Sequence, residues 1–267
     1  MSDIIQQKKW ETYPGIDKAV REALSEYPEF FRQILFNRGI RTAEEAHLYL
    51  AADGMLEDPF LLTDLEKSPD RLPAAVPAGE KIIVYGDYDV DGVTATAMMV
   101  EILQSFDGNA APYIPNRFEE GYGLNKKAIK FLADEGAKVI LTVDCGIRSP
   151  KEARLARKLG VDLIITDHHY PKGDLPSAYA VVCPKQENDL YPYKDLAGVG
   201  VAFKIAQGLF IKSGKDVRKA DDWLDLVALG TVADILPLTG ENRVMVKQGL
   251  KRMQLGYREG LNALAGA

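Results

Sequence analysis

KIIVYGDYDVDG, residues 81–92, sets the fold. Its first five residues are a short apolar run rich in β-branched side chains, which breaks at Gly86 into three aspartates at alternate positions, Asp87, Asp89 and Asp91. The stretch that follows, VTATAMMVEILQSF (93–106), is apolar almost throughout and of helical length. A strand that runs into an acidic turn and then a buried helix opens an α/β unit. The pattern recurs downstream. AKVILTV (137–143) reads as a strand ending on Asp144, SPKEARLARKLG (149–160) as a helix stopped by glycine, and VDLIIT (161–166) as a strand ending on Asp167, His168 and His169. PYIP (112–115) and AYAVVC (178–183) read as shorter strands, with helices over 126–135, 198–213, 221–233 and 242–253. Apolar strands separated by helices predict an α/β fold, a parallel sheet with helices on both faces.

Upstream, short helices are expected over 16–27, 28–37 and 42–51, the last opened by Thr42 with Glu45 three residues on. A turn-rich stretch then leads into the sheet. The expected organisation is a helical extension over 1–75, a catalytic domain over 76–240, and the start of a linker helix over 241–267.

The chain has 267 residues, 46% of them hydrophobic and 27% charged, which excludes disordered, collagen-like and disulfide-scaffold classes. No apolar run approaches the roughly 18–20 residues that span a bilayer. The two cysteines, Cys145 and Cys183, are far apart and suit a reducing cytoplasm. The net charge is −6, yet residues 43–80 hold nine acids and two bases, so the rest of the chain is close to neutral. Discounting the six aspartates of the motifs leaves a surface positive enough for a polyanion. Residues 185–220, with seven bases against four acids, are one candidate contact region. Trp10 and Trp223 read as core or docking residues, and His47 lies outside the motifs.

Ligands of open α/β sheets bind beyond the carboxyl ends of the strands, where three strands here end in acid or imidazole. One such aspartate would be a cap or turn residue; three coincident strand ends argue for a site. Carboxylates about 4 Å apart repel by roughly 4 kcal/mol at an effective dielectric of 20, so the cluster requires a counter-ion. Asp and neutral His suit Mn2+ or Mg2+, and two such ions would balance four carboxylates. That combination points to two-metal hydrolysis of a phosphoester. Two look-alikes are weaker. DYDVDG resembles an EF-hand opening, but the twelfth position from Asp87 is Met98 and a strand precedes the loop. Asp89-Val90-Asp91 also resembles the nucleophile loop of haloacid-dehalogenase-type phosphatases, which needs no histidine pair.

Four ordered motifs, YGDYDVDG (85–92), VDCGI (143–147), TDHH (166–169) and GTVADILPL (230–238), resemble the DHH phosphoesterase family. FEEGYGLN (118–125), LAGVGVAFKIA (196–206) and GTVADILPLTGENRVMVKQGL (230–250) resemble its single-strand-specific exonuclease branch. The resemblance implies metal ligands at Asp89, Asp91, Asp144, His168 and Asp234, with Asp144 bridging two Mn2+ or Mg2+ ions. It implies that His169 contacts the scissile phosphate, while Asp87 and Asp167 orient ligands or the attacking water. Tyr85 stands where the pyrophosphatase branch has a metal-binding histidine. Arg117, Tyr122 and Gly123 would face a nucleic-acid channel, and the glycine-led helix start at 198 would either receive a phosphate or serve close helix packing.

The implied activity is metal-dependent hydrolysis of single-stranded DNA from the 5′ end to 5′-mononucleotides, in DNA repair and recombination, with no membrane partner. A DHH phosphatase of oligonucleotides or small phosphoesters, and a non-catalytic binding module, are the rivals. Relatives of that branch continue into a second domain and an oligonucleotide-binding fold, so further modules are expected beyond residue 267. Contacts to a single-strand-binding protein or a helicase would then lie in those regions.

Overall fold

The structure is a computed structural model and describes residues 11–266. Trp10 therefore lies outside the described residues. The chain divides into two compact units, residues 1–54 and 55–267.

In the smaller unit, helices α1 (Lys18–Ala23), α2 (Glu29–Asn37) and α3 (Ala43–Ala51) enclose Val20, Leu24, Leu35, Ile40 and Ala46. Thr42 caps α3 in the expected way: its hydroxyl accepts from the Glu45 amide, and the Glu45 carboxylate accepts from the Thr42 amide.

The larger unit is built on a five-stranded parallel sheet of order β2-β1-β3-β4-β5. Its strands are β1 (Lys81–Tyr85), β2 (Ala110–Tyr113), β3 (Ala137–Thr142), β4 (Asp162–Thr166) and β5 (Ala180–Val182). Strand side chains alternate between the two faces. Ile82, Val84, Val139, Leu141 and Ile164 pack under α4 (Lys67–Ala75), α5 (Val90–Ser105), α8 (Gly198–Lys212) and α9 (Leu224–Ala233). Ile83, Tyr85, Ile140, Leu163 and Ile165 pack under α6 (Lys126–Asp134) and α7 (Pro150–Lys158). Both faces are covered, as an all-parallel sheet requires. The strand order reverses between β1 and β3, so a crevice opens beyond their carboxyl ends.

Several boundaries differ from expectation. The unit boundary falls at 54/55 rather than at 75, because Leu62, Leu65, Leu72 and Ala75 join the larger core. Two prolines, Pro69 and Pro73, hide α4 in the sequence; Pro69 sits in its first turn, where a missing N–H costs little. The second strand lies at 110–113, ahead of the expected 112–115. A short α11 (Glu259–Ala265) was not expected. The segment expected to begin a linker helix at 241 forms α10 (Gly240–Met253), whose Val244, Met245 and Val246 are buried. Trp223 is half-buried beside Phe210, its indole N–H donating to Glu101.

Candidate metal centre

The loops after β1, β3 and β4 bring the three acidic strand ends to one point. Asp91 sits in the first turn of α5, and Asp89 caps that helix by accepting from the Gly92 amide. Asp144 follows β3 with φ 62°, a left-handed conformation that costs a non-glycine residue about 1–3 kcal/mol. Asp234 ends α9, and Ile235 after it also has a positive φ of 59°. Strained backbone at or beside two acidic positions is the sort of cost that persists where surrounding structure and function fix it.

His168 Nε2 is the hub. It lies 3.1 Å from Asp144 Oδ1, 3.6 Å from Asp234 Oδ2 and 3.9 Å from Asp91 Oδ2. Asp91, His168 and Asp234 can offer one ligand atom each to a cation, as can Asp87, Asp89 and Asp144, or Asp144 with both histidines. These seven residues thus fall in overlapping sets that share Asp144 and His168. Asp144 Oδ1, Asp87 Oδ2 and His168 Nδ1 are buried with no hydrogen-bond partner. Buried polar atoms are normally satisfied; a divalent cation would supply what Asp144 Oδ1 lacks, and water beside the cations what Asp87 Oδ2 lacks. The donor set of carboxylate oxygen and imidazole nitrogen fits Mn2+ or Mg2+. Cys145 is not a rival ligand, since burial pushes its thiol far up.

Electrostatics agree. Burial pushes the Asp91 carboxyl up to about 6, against the pull of His168 and of two amides. Burial and the neighbouring Asp91 and Asp89 carboxylates raise Asp144 well above its ordinary range, and burial raises Asp87. These are the shifts of carboxylates crowded together without a cation.

The start of α8 receives no free anion. The Gly198 and Val199 amides donate to Asp91 at 2.6 and 2.8 Å. The phosphate reading of that glycine-led helix is therefore corrected: its N-terminus is occupied by a carboxylate of the centre. The alternative of close packing holds, because a Cβ on Gly198 would stand 2.5 Å from Asp144 Cβ. Gly230 is equally confined, its Cβ falling 2.4 Å from Thr94 Oγ1.

Asp167 is not among the cation-facing groups. Its Oδ1 accepts from the His168 and His169 amides and stands 2.8 Å from His169 Nδ1, while Oδ2 accepts from the Ile147 amide. Burial alone would raise its carboxyl, but these donors outweigh burial and hold it below the usual range. The same hydrogen bond raises His169. With Nδ1 fixed, His169 Nε2 points toward Tyr122, whose hydroxyl lies 3.3 Å away.

Tyr122 and Gly123 line a cleft of about 310 Å3 together with His169, Asp167, Arg148 and Glu152. Gly123 also accepts from the Tyr85 hydroxyl through its carbonyl, so Tyr85 faces α6 and supports this loop. Arg117 is exposed and stacks over Tyr88 at 5.0 Å, and Tyr88 meets Tyr122 edge to face. Sequence reasoning passed over Tyr88 and Arg148. Tyr88 lies inside the first motif, and Arg148 is four residues beyond Asp144; the contact of Tyr88 with Tyr122 and the placement of Arg148 at the cleft were the missing information.

Of the seven bases in 185–220, four are ion-paired, and Lys185 and Lys215 lie over the rings of Tyr170 and Phe106. Lys194 pairs with Asp189, Lys204 with Glu241, Lys212 with Glu66 and Asp70, and Arg218 with Asp216. Lys204 is fully buried. Much of the positive charge of that segment is consequently met within the protein.

A sequence profile described as the DHH family, N-terminal domain, matches residues 81–231. The chain belongs to the DHH family. Among its DHH relatives is the single-stranded-DNA-specific exonuclease RecJ of Bacillus subtilis (strain 168), 43% identical over 265 residues, covering 98% of this chain and 33% of that protein. Crystal structures of RecJ from Thermus thermophilus are similar too. The complex with Mn2+ superimposes with a TM-score of 0.77 at 34% identity, covering 93% of this chain and 35% of that one. The complex with Mg2+ gives 0.65 at 31%, covering 93% and 31%. The chain thus spans about a third of the length of these DHH proteins. Among the described residues, no helix is long and apolar enough to cross a membrane.

Proposed function

We propose that this chain is the catalytic DHH region of a cytoplasmic exonuclease that hydrolyses single-stranded DNA in the 5′-to-3′ direction to 5′-mononucleotides. The observation that carries the proposal is the joining of two cation-ready sets, Asp91/His168/Asp234 and Asp87/Asp89/Asp144, through the 3.1 Å approach of His168 to Asp144. Similarity to RecJ proteins supports the substrate.

Asp89, Asp91, Asp144, His168 and Asp234 would hold two Mn2+ or Mg2+ ions, which when bound supply charge stabilisation and activate water for phosphoester hydrolysis. The remaining work belongs to this chain's own residues. Asp167 accepts from His169 Nδ1 and favours the protonated ring, whose second N–H, at Nε2, faces the cleft and steadies charge developing on a phosphate oxygen. Asp87 keeps one oxygen on the Tyr88 amide and leaves Oδ2 free to orient the attacking water. Tyr88, Arg117 and Tyr122 form an aromatic and cationic rim suited to a terminal base and its phosphate. Contacts to a single-strand-binding protein or a helicase would lie in the regions that longer relatives possess. In DNA repair and recombination such an activity would trim single strands.

The test is digestion of 5′- and 3′-labelled single strands, duplexes and small phosphoesters with Mn2+ or Mg2+, beside an Asp144→Ala control. Mononucleotides released first from the 5′ label, on single strands alone, are the expected result. Cleavage confined to small phosphoesters would contradict it.

A further inference from the structure

On the face of the sheet covered by α6 and α7, the two helices leave a groove of about 470 Å3. It is lined by Lys126, Lys127, Lys130, Lys151, Arg154 and Lys158, with Leu155 as its only apolar wall. All six cations are exposed, and among the described residues none lies within ion-pair distance of a carboxylate. In a chain of net charge −6, six exposed cations in one groove are a strong local departure, and Lys127 among them acts on a carboxylate, that of Glu120. They are spaced along two helices: Lys126 to Lys130 rises about 6 Å and Lys151 to Lys158 about 10 Å, more than one phosphate occupies.

The residues that line the groove follow closely in the chain on those that line the cleft. Leu124, two residues before Lys126, lines the cleft of His169, and Ser149, two residues before Lys151, lines it too. A strand that leaves the cleft along either loop meets a lysine at once. Glu152, the acid within the α7 turn, lines the cleft and not the groove.

We propose that the α6–α7 groove is a track for the sugar-phosphate backbone of a nucleic-acid strand, continuous with the cleft at His169. The proposal rests on the nucleic-acid reading of that cleft. It adds a sequence-independent electrostatic contact, since lysine and arginine side chains neutralise phosphates without reading bases.

Binding of a labelled oligodeoxythymidine of about 20 nucleotides, longer than a site of about 4–16, is measured across a salt series with metals chelated. Three chains are compared: the wild type, a Lys130→Gln/Arg154→Gln/Lys158→Gln variant, and a control Lys215→Gln/Arg218→Gln/Lys219→Gln variant that removes the same charge elsewhere. The groove variant is expected to bind more weakly, with a log–log salt slope shallower by about 2, from three lost contacts at about 0.7 each. The control should keep the wild-type slope, and the single substitutions should each give part of the change should the triple variant fail to fold. Identical slopes for wild type and groove variant, equal losses in both triple variants, or no salt-dependent binding by the wild type would overturn the track. Binding is read without turnover. An inactive chain that still binds through the groove counts against the exonuclease proposal alone, and an active nuclease with no groove effect counts against the track alone.

Discussion

Asp91 is a fully buried carboxylate of the centre, held by two helix amides on one side and facing His168 on the other. Burial raises its folded pKa to about 6, above the roughly 4 of an unfolded chain. A carboxyl raised on folding stabilises fully below its unfolded pKa and loses that contribution as pH rises through the folded value. The metal-free chain should therefore lose melting temperature between about pH 4 and 7. An Asp91→Asn variant keeps one acceptor for the α8 amides and cannot titrate, so its melting temperature should change less across that window. Melting curves in EDTA at pH 5 and 7.5 check this; equal losses in both chains would remove Asp91 from the account. The two histidines should separate as well. Asp167→Asn loosens His169 and should lower kcat at least tenfold while leaving Mn2+ affinity nearly unchanged, whereas His168→Ala should lower Mn2+ affinity. Calorimetry on both variants, with turnover on the same preparations, reads the split. Much of this was visible in the sequence, because Asp and His at three strand ends have few structural explanations in common. The hydrogen bonds of Asp167 were not visible: the resemblance set it apart from the ligands, but its partners, the His168, His169 and Ile147 amides and the His169 ring, are fixed only by the fold.

At the scale of elements, parallel strands could be read because full burial demands continuous apolar runs, and KIIVY, AKVILT and DLIIT are such runs. Helix α4 could not, because two prolines in nine residues argue against a helix until the packing of Leu72 and Ala75 is known. The basic groove was within reach: Lys127 and Lys130, or Lys151, Arg154 and Lys158, recur at helical spacing. Only the meeting of α6 with α7 joins the two stripes. Helix α8 serves the centre through its first turn, and there the tolerance is small. Gly198→Ala would drive a methyl into Asp144 and should cost about 1–3 kcal/mol as an overpacked core site, together with a loss of Mn2+ affinity. Urea denaturation with and without Mn2+ measures both. Unaltered stability and affinity would show that Asp144 does not sit where α8 places it.

Across the whole molecule, overall charge misleads. The value of −6 arises from an acidic 43–80 segment and from the carboxylates of the centre, while cations gather along α6 and α7. The seven bases of 185–220 read in the sequence as one candidate contact region or as solvated surface, yet four are ion-paired and one of those is wholly buried. Pairing depends on tertiary placement, which a linear count of charge does not contain. The central claim is that seven side chains, gathered from three strand ends and one helix end, form one centre for two divalent ions. Calorimetric titration of Mn2+ into the metal-free chain tests it most directly. Two ions per chain should bind, with a rise in melting temperature that Asp144→Ala largely abolishes. Absence of Mn2+ binding at millimolar concentration, or full binding by Asp144→Ala, would contradict the account.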